Sequence, residues 1–300
     1  MAASDGVIRG DMRIGGRRRT FALRLPSRAT SAGEIPLVLA LHGRGGTGQM
    51  MRQMTGFDTK ADQWDIAVAY PDGYRRNWAD SRNGDDVGTD AEADVDFLRA
   101  VIDWSAQRHG TLPDRTIVVG MSAGGFMGHR MAVQASEHVA VLATIAGAMP
   151  GGVRELKPDH AVSVLLINGT ADPIVPIGGV HRSRRGLGGR HRTFRLLPQQ
   201  DAVDYWCAVD GCRDSESTTL PAPPDRPGFF PVTQRAFTGG TAGTAVHAWA
   251  VDGAGHTWPG SIPPKFHLIP IGPTAQNIDA TEEICRFALP RLTPAVKRQL

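Results

Sequence analysis

The sequence predicts an α/β fold with a mostly parallel central sheet and helices on both of its faces. Short apolar runs recur along the chain, each bounded by turn residues, and helix-period patterns lie between them. Uninterrupted runs of this kind are typical of strands that are buried on both faces, and their alternation with helices implies right-handed βαβ units. The high content of Gly (36) and Pro (21) fits many sharp turns between these elements.

The predicted strands share a short apolar run and are, in order, Phe21–Leu25, Leu37–Leu41, Ile66–Tyr70, Ile117–Val119, Val141–Ile145, Val164–Ile167 and Val246–Val251. The first, Phe21–Leu25, is predicted to be an antiparallel strand at the edge of the sheet. Helical periodicity covers Asp94–Ser105 and Gly125–Ala135. Asp279, with Glu282 three residues later, is typical of an N-cap and predicts a helix through Phe287.

The chain is predicted to form a single domain over 1–300, with a core at about 18–288. No internal repeat or interdomain linker is visible, and no further module is expected. Two segments break the strand–helix pattern: Gly178–Arg195, which is rich in Gly and Arg, and Asp214–Pro231, which is polar and rich in Pro. Both are interpreted as surface loops, with coverage of a functional site as the alternative.

The composition excludes several classes of protein. The net charge is only +3, and no long Lys/Arg run accompanies it, so no nucleic-acid partner is expected. No apolar stretch is long enough for a membrane span, and no membrane partner is expected. The first twenty residues contain no apolar segment typical of a secretory leader. Three cysteines are too few for a disulfide scaffold.

The most specific motif is Gly120-Met121-Ser122-Ala123-Gly124, which matches G-x-S-x-G between a predicted strand and a predicted helix. At such a sharp turn the serine hydroxyl is held above the sheet, where a substrate reaches it. The alternative interpretation is a glycine-rich turn whose serine only caps the helix. The strand–turn–helix setting favours a nucleophilic Ser122.

A nucleophilic serine needs a base and a group that orients the base. Asp172 follows the strand Val164–Ile167, where an open α/β sheet places functional groups. His256 follows Val246–Val251 and has glycines on both sides. The chain order Ser122, Asp172, His256 is that of an α/β-hydrolase triad.

The segment His42-Gly43-Arg44-Gly45-Gly46-Thr47-Gly48 supports two interpretations. Its glycines fit G-x-G-x-x-G, and Asp72 follows the next strand at about the distance of a ribose-binding acid, as in a dinucleotide site. As an H-G-x-G turn, the same backbone offers the N–H of Arg44 as an oxyanion-hole donor opposite that of Ala123. The complete triad favours the second interpretation.

The sequence resembles the esterase family of poly(3-hydroxybutyrate) depolymerases, feruloyl esterases and acetylxylan esterases. The matching segments run in order over nearly the whole chain and are Leu39–Gly46, Tyr70–Gly73, Gly120–Gly124, Asn168–Pro176, Gly255–Gly260 and Asn277–Glu282. The resemblance implies an α/β-hydrolase fold and hydrolysis of carboxylic esters without a cofactor or a metal. It also implies the triad of Ser122, Asp172 and His256.

The chain departs from the family at several positions. Arg44 stands where relatives often have a small residue or cysteine, and a long cation there would alter the acyl side of the pocket. Relatives pair a cysteine near Cys212 with one near position 240, which is Gly240 here. Cys207 and Cys212 are therefore either a disulfide pair or two buried thiols.

His42, Trp258 and Trp78 lie close to the motifs and are predicted to bind substrate, with Trp258 and Trp78 forming an aromatic wall. Structural packing of Trp258 against the histidine loop is the alternative. The arginines from Arg182 to Arg195 are interpreted as a solvated loop, with attraction of acidic polysaccharide as the alternative.

The predicted function is that of a serine carboxylic-ester hydrolase acting on polyester, hydroxyalkanoate, feruloyl-type or short-chain esters. An acetylxylan esterase, thioesterase or peptidase would use the same triad. A carbohydrate-binding relative without activity and a dinucleotide-binding oxidoreductase are the alternatives from other classes. The expected partner is a small or polymeric ester, and a monomer is favoured. The resemblance implies a secreted or periplasmic protein, with a cytoplasmic one as the alternative.

Overall fold

The computed structural model describes residues 6–27, 35–82, 89–185, 191–223, 225–262 and 270–292. Its strands are β1 (Val7–Ile14), β2 (Arg17–Arg24), β3 (Leu37–Leu41), β4 (Ala67–Pro71), β5 (Thr116–Met121), β6 (Val139–Ile145), β7 (Ser163–Gly169), β8 (Val180–Arg185), β9 (His191–Leu196), β10 (Asp214–Leu220), β11 (Val232–Thr238) and β12 (Val246–Val251). Its helices are α1 (Gly48–Thr55), α2 (Phe57–Trp64), α3 (Thr89–His109), α4 (Ala123–Gln134), α5 (Gln199–Asp210) and α6 (Ala280–Ala288).

Ten of these strands form one sheet in the order β1-β2-β4-β3-β5-β6-β7-β12-β11-β10. The six central strands, from β4 to β12, are parallel, and antiparallel pairs close both edges. β8 and β9 form a separate antiparallel ribbon. None of the described helices has the length and apolar character that crossing a membrane requires.

Both faces of the sheet are covered, because successive residues of a strand point to opposite sides. In β3, Leu39 packs with residues of α3, α4 and α5, whereas Val38 packs with residues of α1, α2 and α6. All five residues of β3 are buried, which explains why its sequence is uninterrupted by polar residues. The predicted α/β class with helices on both faces is therefore confirmed.

The predicted helix ends follow from local capping chemistry. The carboxylate of Asp279 accepts hydrogen bonds from the backbone N–H groups of Thr281 and Glu282, as expected for an N-cap. The helix then runs to Ala288, one residue beyond the prediction. The predicted segment Asp94–Ser105 lies within the longer α3.

Three expectations about the outer elements are corrected. The strand predicted at Phe21–Leu25 is antiparallel, but it is not an edge strand, because β1 pairs with its outer side. The predicted loop Gly178–Arg195 contains β8 and β9, while residues 186–190 lie outside the described residues. The predicted loop Asp214–Pro231 begins with β10, whose residues are all exposed and therefore carry no hydrophobic signal.

Cys207 and Cys212 are half-buried free thiols in this structure. The Cys207 thiol is hydrogen-bonded to Cys212, and the Cys212 N–H donates to the Cys207 carbonyl (3.1 Å) at the end of α5. Of the two alternatives left by the sequence, the described geometry is that of a pair of thiols.

Asp210 is a buried carboxyl at the end of α5, and we expect it to make stability depend on pH. One oxygen accepts the Val162 N–H (3.1 Å), and the other has no partner among the described residues. Burial raises the pKa of Asp210 to about 8. Because the unfolded pKa is near 4, this group's contribution to stability is complete below about pH 4 and is lost as the pH rises to about 8.

Asp210→Asn should therefore raise the free energy of unfolding at pH 8 by about 2–5 kcal/mol and leave it little changed at pH 4. Urea unfolding at the two pH values measures the difference. Asp204→Asn on the exposed side of the same helix is the control and should not alter the pH dependence. An unchanged pH dependence in Asp210→Asn would contradict this assignment.

Candidate active site

The three residues of the predicted triad all follow strands at the same edge of the sheet. Ser122 follows β5, Asp172 lies three residues beyond β7, and His256 lies five residues beyond β12. β5, β6, β7 and β12 are consecutive parallel neighbours, so their carboxyl ends point the same way. Residues far apart in the chain are thereby brought to one edge, where open α/β sheets place their sites.

Ser122 lies on a strained turn between β5 and α4. Its backbone has φ 54° and ψ −121°, a conformation that non-glycine residues rarely adopt. Its N–H donates to the Ile145 carbonyl (3.0 Å), which ties the turn to β6. A Cβ at Gly124 would collide with the Leu41 carbonyl, so only glycine allows the start of α4 to approach β3 this closely. This is the geometry of a nucleophile elbow.

Asp172 and His256 form a direct hydrogen bond. The Nδ1 of His256 lies 2.7 Å from Oδ2 of Asp172, and both side chains are buried. The other oxygen of Asp172 accepts the backbone N–H groups of Ile174 and Val175, each at 2.8 Å. The carboxylate is therefore held in one orientation, with one oxygen left for the imidazole.

The loops that carry Asp172 and His256 are joined to each other. Thr170 donates its hydroxyl to Asp252 (3.0 Å) and accepts the Gly253 N–H (2.8 Å). On the other side, the segment 270–275 lies against the histidine loop. Its Ile271 carbonyl accepts the His256 N–H (2.5 Å). These bonds place the imidazole against the carboxylate.

The turn after β3 lies beside Ser122. The Gly46 N–H donates to the Gly43 carbonyl (3.0 Å), and Gly45 has a positive φ of 78°, as the tight turn requires. A Cβ on Gly43 would lie 3.5 Å from the Cβ of Ser122. Arg44 is exposed at the tip of the turn. The predicted oxyanion-hole segment is thus next to the serine, and Ala123 begins α4 on the other side.

The side chain of His42 holds this turn in place through two hydrogen bonds. Its Nε2 accepts the Gly73 N–H (2.9 Å), so the ring proton lies on Nδ1, which donates to the Gly43 carbonyl (2.7 Å). Burial lowers the pKa of His42 and so favours this neutral form. The Trp78 Nε1–H donates to the His42 carbonyl (2.8 Å). Together they fix the orientation of the turn.

The three residues predicted to bind substrate are buried in the structure. Trp258 is 2% exposed, and its Nε1–H donates to the Thr281 hydroxyl (3.0 Å), so it packs under the histidine loop. Trp78 and His42 are also 2% exposed and hold the turn described above. The aromatic-wall prediction is therefore wrong, because the polar groups of these rings are satisfied inside the protein.

The dinucleotide interpretation of the glycines at 43–48 is disfavoured by the position of Asp72. Its Oδ1 accepts the N–H of Gly48 at the start of α1 (2.8 Å), and its Oδ2 accepts the Thr20 hydroxyl (2.7 Å). In a dinucleotide site a pyrophosphate lies at this helix N-terminus. Here a carboxylate is already there and would repel it.

Sequence reasoning missed two features that bear on the site. One is the segment 270–275 over the histidine loop, whose signal was the closely spaced prolines at 270 and 273. The other is the turn Tyr74–Arg76, where Arg75 and Arg76 have positive φ (50° and 61°). The Arg76 carbonyl accepts the Gly45 N–H (2.7 Å), so this turn lies against the tip that carries Arg44.

A mostly parallel sheet that carries a strained serine elbow and a hydrogen-bonded aspartate–histidine pair at its carboxyl edge defines the α/β-hydrolase class. Residues 13–168 match the family described as "Putative esterase". Over 279 residues the chain is 30% identical to the "Putative esterase NocK" of Nocardia uniformis subsp. tsuyamanensis, covering 92% of this chain and 80% of that protein. The chain belongs to this esterase family.

A solved structure agrees with the fold. An acetyl xylan esterase from Aspergillus awamori superposes with a TM-score of 0.56 at 15% identity, covering 83% of this chain and 94% of that one. The α/β-hydrolase fold and the resemblance to esterases are thus confirmed, and the enzyme is a carboxylic-ester hydrolase.

Proposed function

We propose that the enzyme hydrolyses carboxylic esters through a covalent acyl-serine intermediate, with Ser122 as nucleophile, His256 as general base and Asp172 as the residue that orients it. The observation that carries the proposal is the 2.7 Å contact between Nδ1 of His256 and Asp172, at the sheet edge that also carries the Ser122 elbow.

The proposed chemistry follows from the orientation of the imidazole. Asp172 accepts a hydrogen bond from the N–H at Nδ1 of His256, which leaves Nε2 as the atom that can accept a proton. Nε2 takes the Ser122 proton while the serine oxygen attacks the ester carbonyl. The imidazolium then donates this proton to the leaving alcohol. In the second half, the same histidine takes a proton from a water molecule as the water oxygen attacks the acyl-serine. The imidazolium then returns this proton to the Ser122 oxygen as the bond to the acyl group breaks and the acid is released.

The developing negative charge on the carbonyl oxygen needs hydrogen-bond donors. The N–H groups of Ala123 and Arg44 are proposed for this role, because they lie on the two segments that flank Ser122. The N-terminus of α4 adds a favourable partial positive charge. One such donor contributes about 10²- to 10³-fold in turnover.

Esters with short acyl groups are the substrates we favour. Hydroxyalkanoate and polyester substrates, feruloyl esters and acetylated xylan remain candidates, the last because the structurally similar Aspergillus protein is an acetyl xylan esterase. Because Trp258 and Trp78 are buried, they do not offer an exposed aromatic surface for the ring of a feruloyl ester. This observation weakens the case for feruloyl esters as substrates. A small or polymeric ester is thus the proposed partner.

A hydrolysis screen tests the proposal. The panel is p-nitrophenyl acetate and butyrate, methyl ferulate, acetylated xylan, a polyester film, and one amide and one thioester of the same acyl group. We expect turnover of the short p-nitrophenyl esters and little turnover of the amide. Faster cleavage of the amide or thioester would assign the same residues to a peptidase or thioesterase.

The alternatives from other classes make different predictions. A dinucleotide-binding protein would be stabilised thermally by NAD(P), whereas the proposed esterase would not. A carbohydrate-binding relative without activity would bind xylan and hydrolyse none of the esters. Either result would overturn the proposed function.

A further inference from the structure

Three arginines form an exposed basic rim beside the candidate oxyanion turn. We use the name "arginine rim" for Arg44, Arg75 and Arg76, all of which are exposed. Arg44 lies at the tip of the turn after β3, and the other two lie on the neighbouring turn Tyr74–Arg76.

Backbone and side-chain contacts join these two turns. The Arg76 carbonyl accepts the Gly45 N–H (2.7 Å), and its Nε donates to the Gly46 carbonyl (3.4 Å). Besides burial, the positive charge of Arg76 lowers the pKa of His42. Arg76 is therefore close enough to interact electrostatically with the histidine that holds the turn after β3. The two turns that carry the rim are therefore held next to each other.

Two arginine guanidinium groups lie close to the ring of Tyr74. The guanidinium of Arg17 lies 4.3 Å from the centre of the Tyr74 ring, and that of Arg75 lies 5.4 Å from the same centre. Cation–π contacts of this kind restrict the positions of the guanidinium groups.

Three carboxylates on neighbouring segments bind partners other than the arginines of the rim. Asp72 accepts from Thr20 and Gly48, Asp94 pairs with Arg19 (2.7 Å), and Asp80 pairs with Arg82. Among the side chains that the structure describes, no carboxylate forms an ion pair with Arg44, Arg75 or Arg76. The three guanidinium groups of the rim therefore form no direct ion pair with a described carboxylate.

We propose that the arginine rim determines specificity and selects esters that carry a carboxylate. This inference rests on the proposed function, because it places the rim beside the scissile ester. Guanidinium groups present paired N–H donors that match a carboxylate, and a positive patch at a cleft also accelerates association of anionic substrates.

Two pairs of esters, each consisting of a carboxylate and its methyl ester, test the proposal. The first pair, p-nitrophenyl hydrogen adipate and its methyl ester, carries the charge on the acyl side. The second, 4-acetoxybenzoate and its methyl ester, carries it on the alcohol side. We expect the wild type to prefer the anion of at least one pair by about tenfold in kcat/KM, mainly through KM. Raising the salt to about 0.5 M should bring the ratio toward one, because exposed charges are then screened.

Neutralising the rim should reduce this preference. Arg44→Gln and Arg75→Gln should each lower the anion-to-neutral ratio by about three- to fivefold, and the double variant should bring the ratio close to one. Because the anion-to-neutral ratio compares two substrates of the same variant, a general loss of transition-state stabilisation lowers both rates and leaves the ratio unchanged. A change in the ratio therefore reports substrate selection. Arg213→Gln removes an equally exposed charge at the far edge of the sheet and should leave the ratio unchanged.

The outcomes distinguish this inference from the proposed function. Equal rates on both members of each pair, or a ratio that neither rim variant changes, would overturn the role of the rim while ester hydrolysis stands. An equal fall of the ratio in Arg213→Gln would also overturn it, since net charge alone would then explain the preference. Absence of any hydrolysis, including that of neutral esters, would instead overturn the proposed function.

Discussion

Ser122→Ala should abolish ester hydrolysis, lowering kcat by about 10⁴-fold or more, because no other group can form the acyl intermediate. Alanine retains the Cβ and the backbone of the elbow, where φ is already 54°, so the fold should be retained. Initial rates on p-nitrophenyl butyrate, with circular dichroism and thermal unfolding as checks on the fold, measure the effect.

The matched control for this variant is Ser217→Ala. Ser217 is exposed on β10, which lies at one end of the sheet and is separated from β5 by β6, β7, β12 and β11. We expect wild-type kinetics from it. Turnover by Ser122→Ala within about tenfold of wild type would exclude Ser122 as the nucleophile.

Asp172→Asn should lower kcat by about 10⁴-fold with little change in structure. The oxygen of Asp172 that accepts the Ile174 and Val175 N–H groups would be the amide oxygen in the variant, because only an oxygen can accept there. The amide NH₂ would then face Nδ1 of His256 and donate to it. The imidazole proton would move to Nε2, and the histidine could no longer accept the serine proton.

Asp252→Asn is the control for the removal of a carboxylate from the same pair of loops. Asp252 is exposed and accepts the Thr170 hydroxyl, which an asparagine oxygen can also do. Its kcat should stay within about twofold of wild type, since surface changes of this kind are usually small. Comparable losses in both variants would show that Asp172 acts only by holding the loops.

The fold class and the order of the site residues could be predicted from the sequence because their signals are local. β3 is buried at all five positions and is an uninterrupted apolar run, and β5 is buried at every position but its last. The G-x-S-x-G turn needs its small residues at fixed spacing. Parallel pairing then brings the carboxyl ends of β5, β7 and β12 together.

The roles of the aromatic residues could not be predicted, because proximity in sequence to a motif does not fix the direction of a side chain. Trp258 lies two residues beyond His256, yet its ring packs under the loop and donates to Thr281, which is on α6. Trp78 likewise donates to His42 inside the protein. Such partners come from segments distant in the chain.

The outer strands were missed for a related reason. β10 consists of exposed polar residues, and what holds it is backbone pairing with β11. The contact between the turn Tyr74–Arg76 and the turn of Arg44 is also tertiary. Neither the hydrophobic periodicity of the sequence nor any motif indicates this contact.

The most direct test of the central claim is covalent labelling with a fluorophosphonate, followed by peptide mass spectrometry. An activated serine reacts with such a probe, whereas a serine that only caps a helix does not. We predict one adduct per chain, located on Ser122, and loss of esterase activity in proportion to labelling. Two results would contradict the account. One is that, after incubation with the probe, Ser122 stays unlabelled and the esterase activity is unchanged. The other is that the adduct lies on a different serine.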